Sequence, residues 1–305
     1  MRESSEPLAD NWALRFRKLL KSAAGVHVLS KTRSSREPIQ IRFTNLLLLG
    51  HARLKAAELD TNVEGLALWE GGSGSDARKA PGAVGEWRVH GQDVQIIQAN
   101  GAALSTRRIS APESAPEKAK QKNSYTPVLR AMLFADAVGF SQLTEAQLPV
   151  FFSDFQAAIA RLIRKSKQSP EVADTWGDGL YLVFRTVEDA GRFSLRLRDR
   201  IHNVDWAATG LPKSLSLRIG LHAGPVYRCK DPITGELTFV GTNVTRAARL
   251  EPITPPGEVY TSADFAALAS AENAKGFSCE HKGMIPAAKG FGDFPTYVLK
   301  PRAPA

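Results

Sequence analysis

Only two cysteines, Cys229 and Cys279, occur in the 305 residues, and neither stands in a metal-type spacing with a second Cys or His. A disulfide framework and a cysteine-based zinc site are therefore excluded, and both thiols are expected to be reduced and structural. Long apolar runs are missing too. The strongest, around Asn45 to Gly50, is far shorter than a membrane span, and no basic, apolar, small-residue leader opens the chain. The expectation is a soluble, cytoplasmic protein without a membrane partner. The chain also lacks a nucleic-acid reader. Its net charge of +9 is spread over Arg15 to Lys31, Arg107 to Lys122 and Arg161 to Lys167, without aromatic interleaving or a helix-turn-helix or zinc-finger pattern. These runs read as solvated helix faces and a basic linker, which leaves an anionic surface or a polyanionic small substrate as the use of the charge and no nucleic acid as partner.

What is present divides by composition. With 43% hydrophobic and 23% charged residues the chain can bury a core, and its length suits two domains or one domain with a large extension. The stretch Thr106 to Thr126 has no hydrophobic period and is rich in Ser, Pro, Lys and Glu, so residues 106–126 are expected to be a linker between an N-terminal region, 1–105, and a C-terminal domain, 127–305. In the first region, helical spacing marks Leu8 to Ala24 and Thr44 to Leu59. Gly65 to Trp69 and Val94 to Gln98 read as strands, with a helix over Pro81 to His90. That alternation predicts a partial Rossmann-like βα segment, too short for a whole domain, which is either a truncated sensor-like half or part of something longer. Its Gly71 to Gly74 loop has neither the Lys-Ser/Thr ending of a P-loop nor a dinucleotide spacing, and reads as a flexible connection.

Beyond residue 126 the pattern changes to a strand at Leu129 to Val138, a helix at Glu145 to Lys165, and a hairpin of Val172 to Trp176 with Gly179 to Phe184. A helix at Val187 to Ile201 and a strand at Leu215 to Ala223 follow. This is the βαββαβ order of a ferredoxin-like α/β core. Thr242 to Leu250 follows as a helix, with Glu258 to Thr261 and Thr296 to Leu299 as strands. Asp136 lies at the C-terminal end of the first strand, in LFADAVGF, and Asp178 lies in the turn of TWGDGLYLVF. Either aspartate alone is explained as a turn residue. Together, at one end of neighbouring strands and beside glycines, they supply the oxygen ligands and the room that a hard divalent cation and phosphates need.

LFADAVGF, TWGDGLYLVF, LRIGLHAGPV, VGTNVTRAARLEPITPPGEVYTS and KGFGDFPTYVL, in that order, resemble the catalytic domain of the class III adenylyl and guanylyl cyclases over about residues 129–299. The resemblance implies a nucleotide cyclase, converting a nucleoside triphosphate to a 3′,5′-cyclic nucleotide and pyrophosphate in signalling. It implies two Mg²⁺ or Mn²⁺ ions on Asp136 and Asp178, with the backbone of Val138, Gly139 and Phe140 near the triphosphate. It also implies Arg249 on the α-phosphate in the transition state, Lys289 on the terminal phosphates, and a head-to-tail homodimer with shared active sites. The residue types suit that chemistry. A guanidinium is a planar, permanently charged donor for phosphoryl oxygens, and a lysine point charge suffices for the leaving pyrophosphate.

The departures fall on the base and sugar contacts. Adenylyl cyclases carry a lysine where this chain has Asp174, an aspartate where it has Thr238, and a ribose-orienting asparagine where it has Thr245. Asp174 can only accept and Thr238 can donate, which suits a base showing N–H donors beside a carbonyl, as guanine and uracil do. The expected order is GTP first, with ATP and UTP behind. The antiphage uridylate and cytidylate cyclases resemble it in having an unusual base pocket on this fold. The alternative function is a catalytically inactive cyclase-like domain kept for regulation or dimerisation, and a sensing role for the N-terminal region is compatible with either.

Overall fold

The computed structural model describes residues 9–26, 28–29, 38–69, 83–98, 106–109, 125–290 and 292–302. The Gly71 to Gly74 loop and most of the expected linker, 110–124, lie outside these residues. Two compact units are formed, Met1–Glu37 and Pro38–Ala305. Among the described residues the first contains the helix α1 (Ala9–Ser22), on which Leu14, Phe16, Leu19 and Leu20 are exposed, Leu19 by 64%. The units do not follow the composition boundary. The βα segment belongs to the same unit as the C-terminal sheet, and the segment expected as a linker begins with a strand at Thr106–Ile109.

In the second unit, α2 (Pro38–Glu58) leads to β1 (Gly65–Trp69), α3 (Ala83–Val89), β2 (Val94–Gln98) and β3 (Thr106–Ile109). β1 and β2 are parallel around α3, as a βαβ step requires, whereas β3 returns antiparallel to β2 and closes a three-stranded sheet. Val84 and Val94, packed against Ala67 and Trp87, make its small core.

The main sheet is built from β4 (Thr126–Val138), β5 (Val172–Trp176), β6 (Gly179–Phe184), β7 (Ser216–Lys230), β8 (Leu237–Val240), β9 (Val259–Ser262), β10 (Phe277–Pro286) and β11 (Asp293–Pro301). Its order is β10-β11-β9-β7-β4-β6-β5, with β8 paired to β7. Within it, β7-β4-β6-β5 are mutually antiparallel and arranged as a split βαββαβ unit predicts. The first crossover runs from α4 (Leu148–Val150) through a π-helical stretch, Phe151–Gln156, into α5 (Ala157–Lys165), where the spacing predicts one helix. The second crossover is α6 (Val187–His202). Its first turn is capped by Thr186, whose hydroxyl accepts from the Asp189 N–H at 3.0 Å.

Alternation along β4 gives the sheet two unlike faces. Ala131, Leu133, Ala135 and Ala137 are buried, in register with Leu180, Leu182 and Phe184 on β6 and with Leu217, Ile219, Leu221 and Ala223 on β7. α6 packs here together with α8 (Ala263–Ala271), a short alanine-rich helix not anticipated because its apolar residues carry no helical period. The opposite face carries Met132, Phe134 and Asp136, and α7 (Thr242–Leu250) and β8 cover only part of it.

α2 lies on α8, and the helices approach so closely that a Cβ on Gly50 would stand 1.9 Å from the Ala267 carbonyl oxygen. α8 has no basic residue in its last turn, and Arg53 from α2 supplies the charge. Its guanidinium donates to Ser270 O at 3.2 Å and Ala271 O at 2.9 Å, and also to His90 O at 2.9 Å. Gly50→Ala should therefore destabilise the protein by about 1–3 kcal/mol, as overpacked sites do. Thermal and urea unfolding measure this, and an unchanged midpoint would mean that α2 is not seated on α8.

Candidate active site

The open face of the sheet collects the carboxylates. Asp136 on β4 is directly opposite Gly179 on β6, so Asp178, the residue before Gly179, is delivered to its side. The Ala137 N–H donates to the Asp178 carbonyl at 3.3 Å. Gly177, at φ 65°, makes the hairpin tight enough for this, and Gly139, at φ 94°, turns the chain away just after β4 so that Val138, Gly139 and Phe140 border the same end. Burial, and then the Asp136 carboxylate close enough to hydrogen-bond, push the Asp178 carboxyl above its ordinary value. Two carboxylates facing each other in a half-buried position are a donor set for a divalent cation. Among the described residues no third His, Cys, Asp or Glu completes a protein-only cage. That suits an ion that takes its remaining oxygens from water and phosphate.

Asp174 lies on β5 opposite Tyr181, which is in turn opposite Phe134. By strand spacing its Cα is about 12 Å from that of Asp136, two strands across and two residues along. Burial, then the charges of Asp231 and Glu236, raise the Asp174 carboxyl. Those two residues flank the turn between β7 and β8, and Thr238 follows on β8, so Asp174 and the strand carrying Thr238 share one acidic neighbourhood. Tyr181 joins them, its hydroxyl donating to Phe239 O at 3.2 Å. Between this pair and the metal-type pair lies an aromatic stack that sequence reasoning passed over. Phe134 lies on Tyr181 with ring centroids 4.7 Å apart, and Tyr181 on Trp176 at 6.2 Å, leaving the indole 62% exposed.

Thr245 and Arg249 stand one helical turn apart on the same side of α7, while Asn243, Ala247 and Leu250 are buried beneath. α7 is anchored by a polar relay. His222 pairs through Nδ1 with Ser262 Oγ at 2.7 Å and through Nε2 with Asn243 Oδ1 at 3.0 Å, and the Asn243 amide donates to Pro225 O at 2.8 Å. Because the Asn243 amide nitrogen is committed to Pro225, its Oδ1 must accept. His222 is then protonated on Nε2, and the Ser262 hydroxyl donates to Nδ1 while accepting from the Phe265 N–H that starts α8. Lys289 falls in the turn Ala288–Gly290, whose backbone meets α7, but its side chain is outside the described set.

Sequence reasoning also missed Arg218 and Glu251. The Arg218 Nη2 donates to Asp136 Oδ2 at 2.7 Å and its Nε is ion-paired with Glu251. Burial works against the guanidinium charge, but Glu251 and Asp136 outweigh it and hold Arg218 above its ordinary value. Their only signal was that Arg218 opens the alternation of LRIGLHAGPV.

Asp136, Asp178 and Asp174 thus lie on the side of the sheet that is partly covered by β8 and α7, the elements carrying Thr238, Thr245 and Arg249. A cavity of 360 Å³ beside Ile39, Arg42 and Glu272, and another of 490 Å³ beside His202 and Lys213, include none of them.

The family model "Adenylate and Guanylate cyclase catalytic domain" matches residues 121–301. An adenylate cyclase of Neurospora crassa is 26% identical over 107 residues, which is 30% of this chain and 5% of the relative, so the chain spans a small part of that longer protein. The crystallised adenylyl cyclase CyaB of P. aeruginosa superposes with a TM-score of 0.51 at 19% identity, over 58% of this chain and 95% of that one. A crystallised guanylyl cyclase gives 0.51 at 16% identity, over 60% and 97%. Among the described residues no helix is long and apolar enough to cross a membrane.

Burial and the facing Asp136 carboxylate both raise the Asp178 carboxyl, so the ionised form of Asp178 opposes folding. A carboxyl whose folded pKa is raised costs stability above that pKa and costs none below its unfolded value. Asp178→Asn should therefore raise the Tm of the metal-free protein at neutral pH, with the gain fading as the pH falls through the carboxylate range. A lower Tm for the variant at neutral pH would show that the two carboxylates do not repel each other.

Proposed function

The chain belongs to the adenylate and guanylate cyclase catalytic domain family, and on that premise we propose that it closes a nucleoside triphosphate into a 3′,5′-cyclic nucleotide with release of pyrophosphate. The observation that carries the reading is the facing pair Asp136 and Asp178 at one end of the main sheet, brought together by the β4–β6 register and the tight turn before β6.

Asp136 and Asp178 would hold two divalent ions, Mg²⁺ or Mn²⁺, which when bound lower the pKa of the ribose 3′-hydroxyl and neutralise charge on the α-phosphate. Val138 to Phe140 turn back beside these carboxylates and give the triphosphate backbone to lie against. Arg249, part-buried on α7, would bring a planar guanidinium to the equatorial oxygens as charge builds on them, and Lys289 would meet the leaving pyrophosphate. Thr245 offers a hydroxyl, in place of an amide, to the ribose. A head-to-tail homodimer, whose second copy completes each site, is the assembly that suits a site carried on one side of a sheet. A second Asp–Arg half-site facing the first is the arrangement that would bring the spread residues together.

Base choice follows from the acidic neighbourhood of Asp174. With Asp231 and Glu236 beside it, this part of the face favours a base edge that donates from ring N–H groups, so GTP is placed first and ATP and UTP behind it. Incubating the protein with each of the four ribonucleotides and Mn²⁺, and identifying products by mass spectrometry, should give a cyclic nucleotide, most from GTP. No cyclic product from any of the four would favour an inactive regulatory domain.

Two substitutions separate the roles. Arg249→Ala should lower kcat by about 10²–10³ while changing KM little, because the charge it meets develops in the transition state. A pure KM effect would assign Arg249 to ground-state binding. Asp174→Lys with Thr238→Asp should move the product ratio from an equimolar nucleotide mixture toward cyclic AMP, since a charged donor facing guanine N–H groups is an unpaired, repulsive contact. An unchanged ratio would remove both residues from the base pocket.

A further inference from the structure

Asp136 and Arg218 are direct cross-strand partners on β4 and β7, and one edge of the Arg218 guanidinium binds Asp136 Oδ2 at 2.7 Å. The Nε of the same guanidinium is ion-paired with Glu251, the first residue of the 3-10 turn Glu251–Ile253 that follows α7. Glu251 reaches Arg218 because that turn rides on β7. A Cβ on Gly220, two residues from Arg218, would lie 2.6 Å from the Glu251 backbone nitrogen, so only glycine admits the approach. Glu251 is mostly buried, and burial pushes its carboxyl up against a partial offset from Arg218. One guanidinium thus serves two carboxylates that arrive from separate elements.

We propose that Arg218, braced by Glu251, is the positioning residue for the Asp136 carboxylate. The inference rests on the divalent-ion reading of the Asp136–Asp178 pair. With Oδ2 tied to β7, the Asp136 carboxylate cannot rotate freely, and its Oδ1 is the oxygen left for an ion shared with Asp178. The same bridge fixes the end of α7, two residues after Arg249, to the strand pair that carries Asp136. A lysine would keep the positive charge but, being a single point donor without the fork, could not hold both carboxylates in these directions. Groups that orient a metal-binding carboxylate in this way typically change metal affinity by about 10–100-fold when altered.

The test uses the full chain and Mn²⁺ alone, with free Mn²⁺ followed by electron paramagnetic resonance and folding followed by thermal melting. Wild type should bind Mn²⁺, and Asp178→Asn should lose it. Arg218→Lys, with charge conserved, and Glu251→Gln, with Arg218 intact but unbraced, should each weaken Mn²⁺ binding by about tenfold or more. Wild-type affinity in both variants, with Asp178→Asn still deficient, would overturn the positioning role while leaving the divalent-ion reading standing. No Mn²⁺ binding by wild type would overturn that reading, and this role with it. Should Arg218→Lys fail to fold, Glu251→Gln decides alone, because it leaves the Arg218–Asp136 bond in place and removes only its support.

Discussion

The antiparallel pairing of β4 with β7, continuous from Thr126 opposite Arg228 to Val138 opposite Ser216, is the constraint on which the rest of the structure hangs. Side chains alternate across a strand, so this ladder decides at once which residues face α6 and α8 and which face the opposite side of the sheet. Ala131, Leu133 and Ala135 go to the side covered by α6 and α8, while Met132, Phe134 and Asp136 go to the other. A slip of one residue would bury Asp136 among alanines and leucines and turn Leu133 outward. The register is therefore held by hydrophobic burial on one face, and the chemistry on the other face inherits its precision from it.

The less covered face carries Asp136 and the Phe134–Tyr181 pair beside a buried cluster of Met132, Val183 and Val226. α7 and β8 are held by directional bonds, through His222, Asn243 and Tyr181, rather than by area alone. Such bonds specify one placement, because a buried donor or acceptor left unpaired costs more than a made bond contributes. The helix carrying Thr245 and Arg249 is thus fixed on the sheet without closing over Asp136, Trp176 and Asp178. The Trp176 indole, 62% exposed, marks the part of the face that α7 leaves uncovered.

The N-terminal βα segment shares a unit with the main sheet through α2, which stands on α8 at Gly50 and caps it with Arg53. Composition separates the two regions because it sees the Ser, Pro and Lys of the intervening stretch, and it has no access to a helix contact made across more than two hundred residues of chain. The same limit applies to β3. TRRI has the residue types of a linker, and becomes a strand because β2 offers it a ladder.

What the sequence by itself determined was periodicity and local punctuation: the βαββαβ order, the tight turn that holds Asp178, the strand that carries Asp136 near its end, and the helix that carries Thr245 and Arg249. These are local properties, set by side-chain period and turn chemistry within a few residues, and they also carry the family resemblance. Tertiary structure alone decided the contacts between segments remote in the chain. α8 could not be read because a helix buried on all sides shows no amphipathic period. The Phe134–Tyr181–Trp176 stack needed three strands in register before its rings could meet. Arg218 and Asp136, separated by 82 positions, become partners only when β7 pairs with β4, and Glu251 joins them only because Gly220 lets the turn after α7 settle on the strand. The reason is geometric: a sequence pattern records which way a side chain points from its own element, whereas an ion pair between elements depends on their registers and separations, which packing sets.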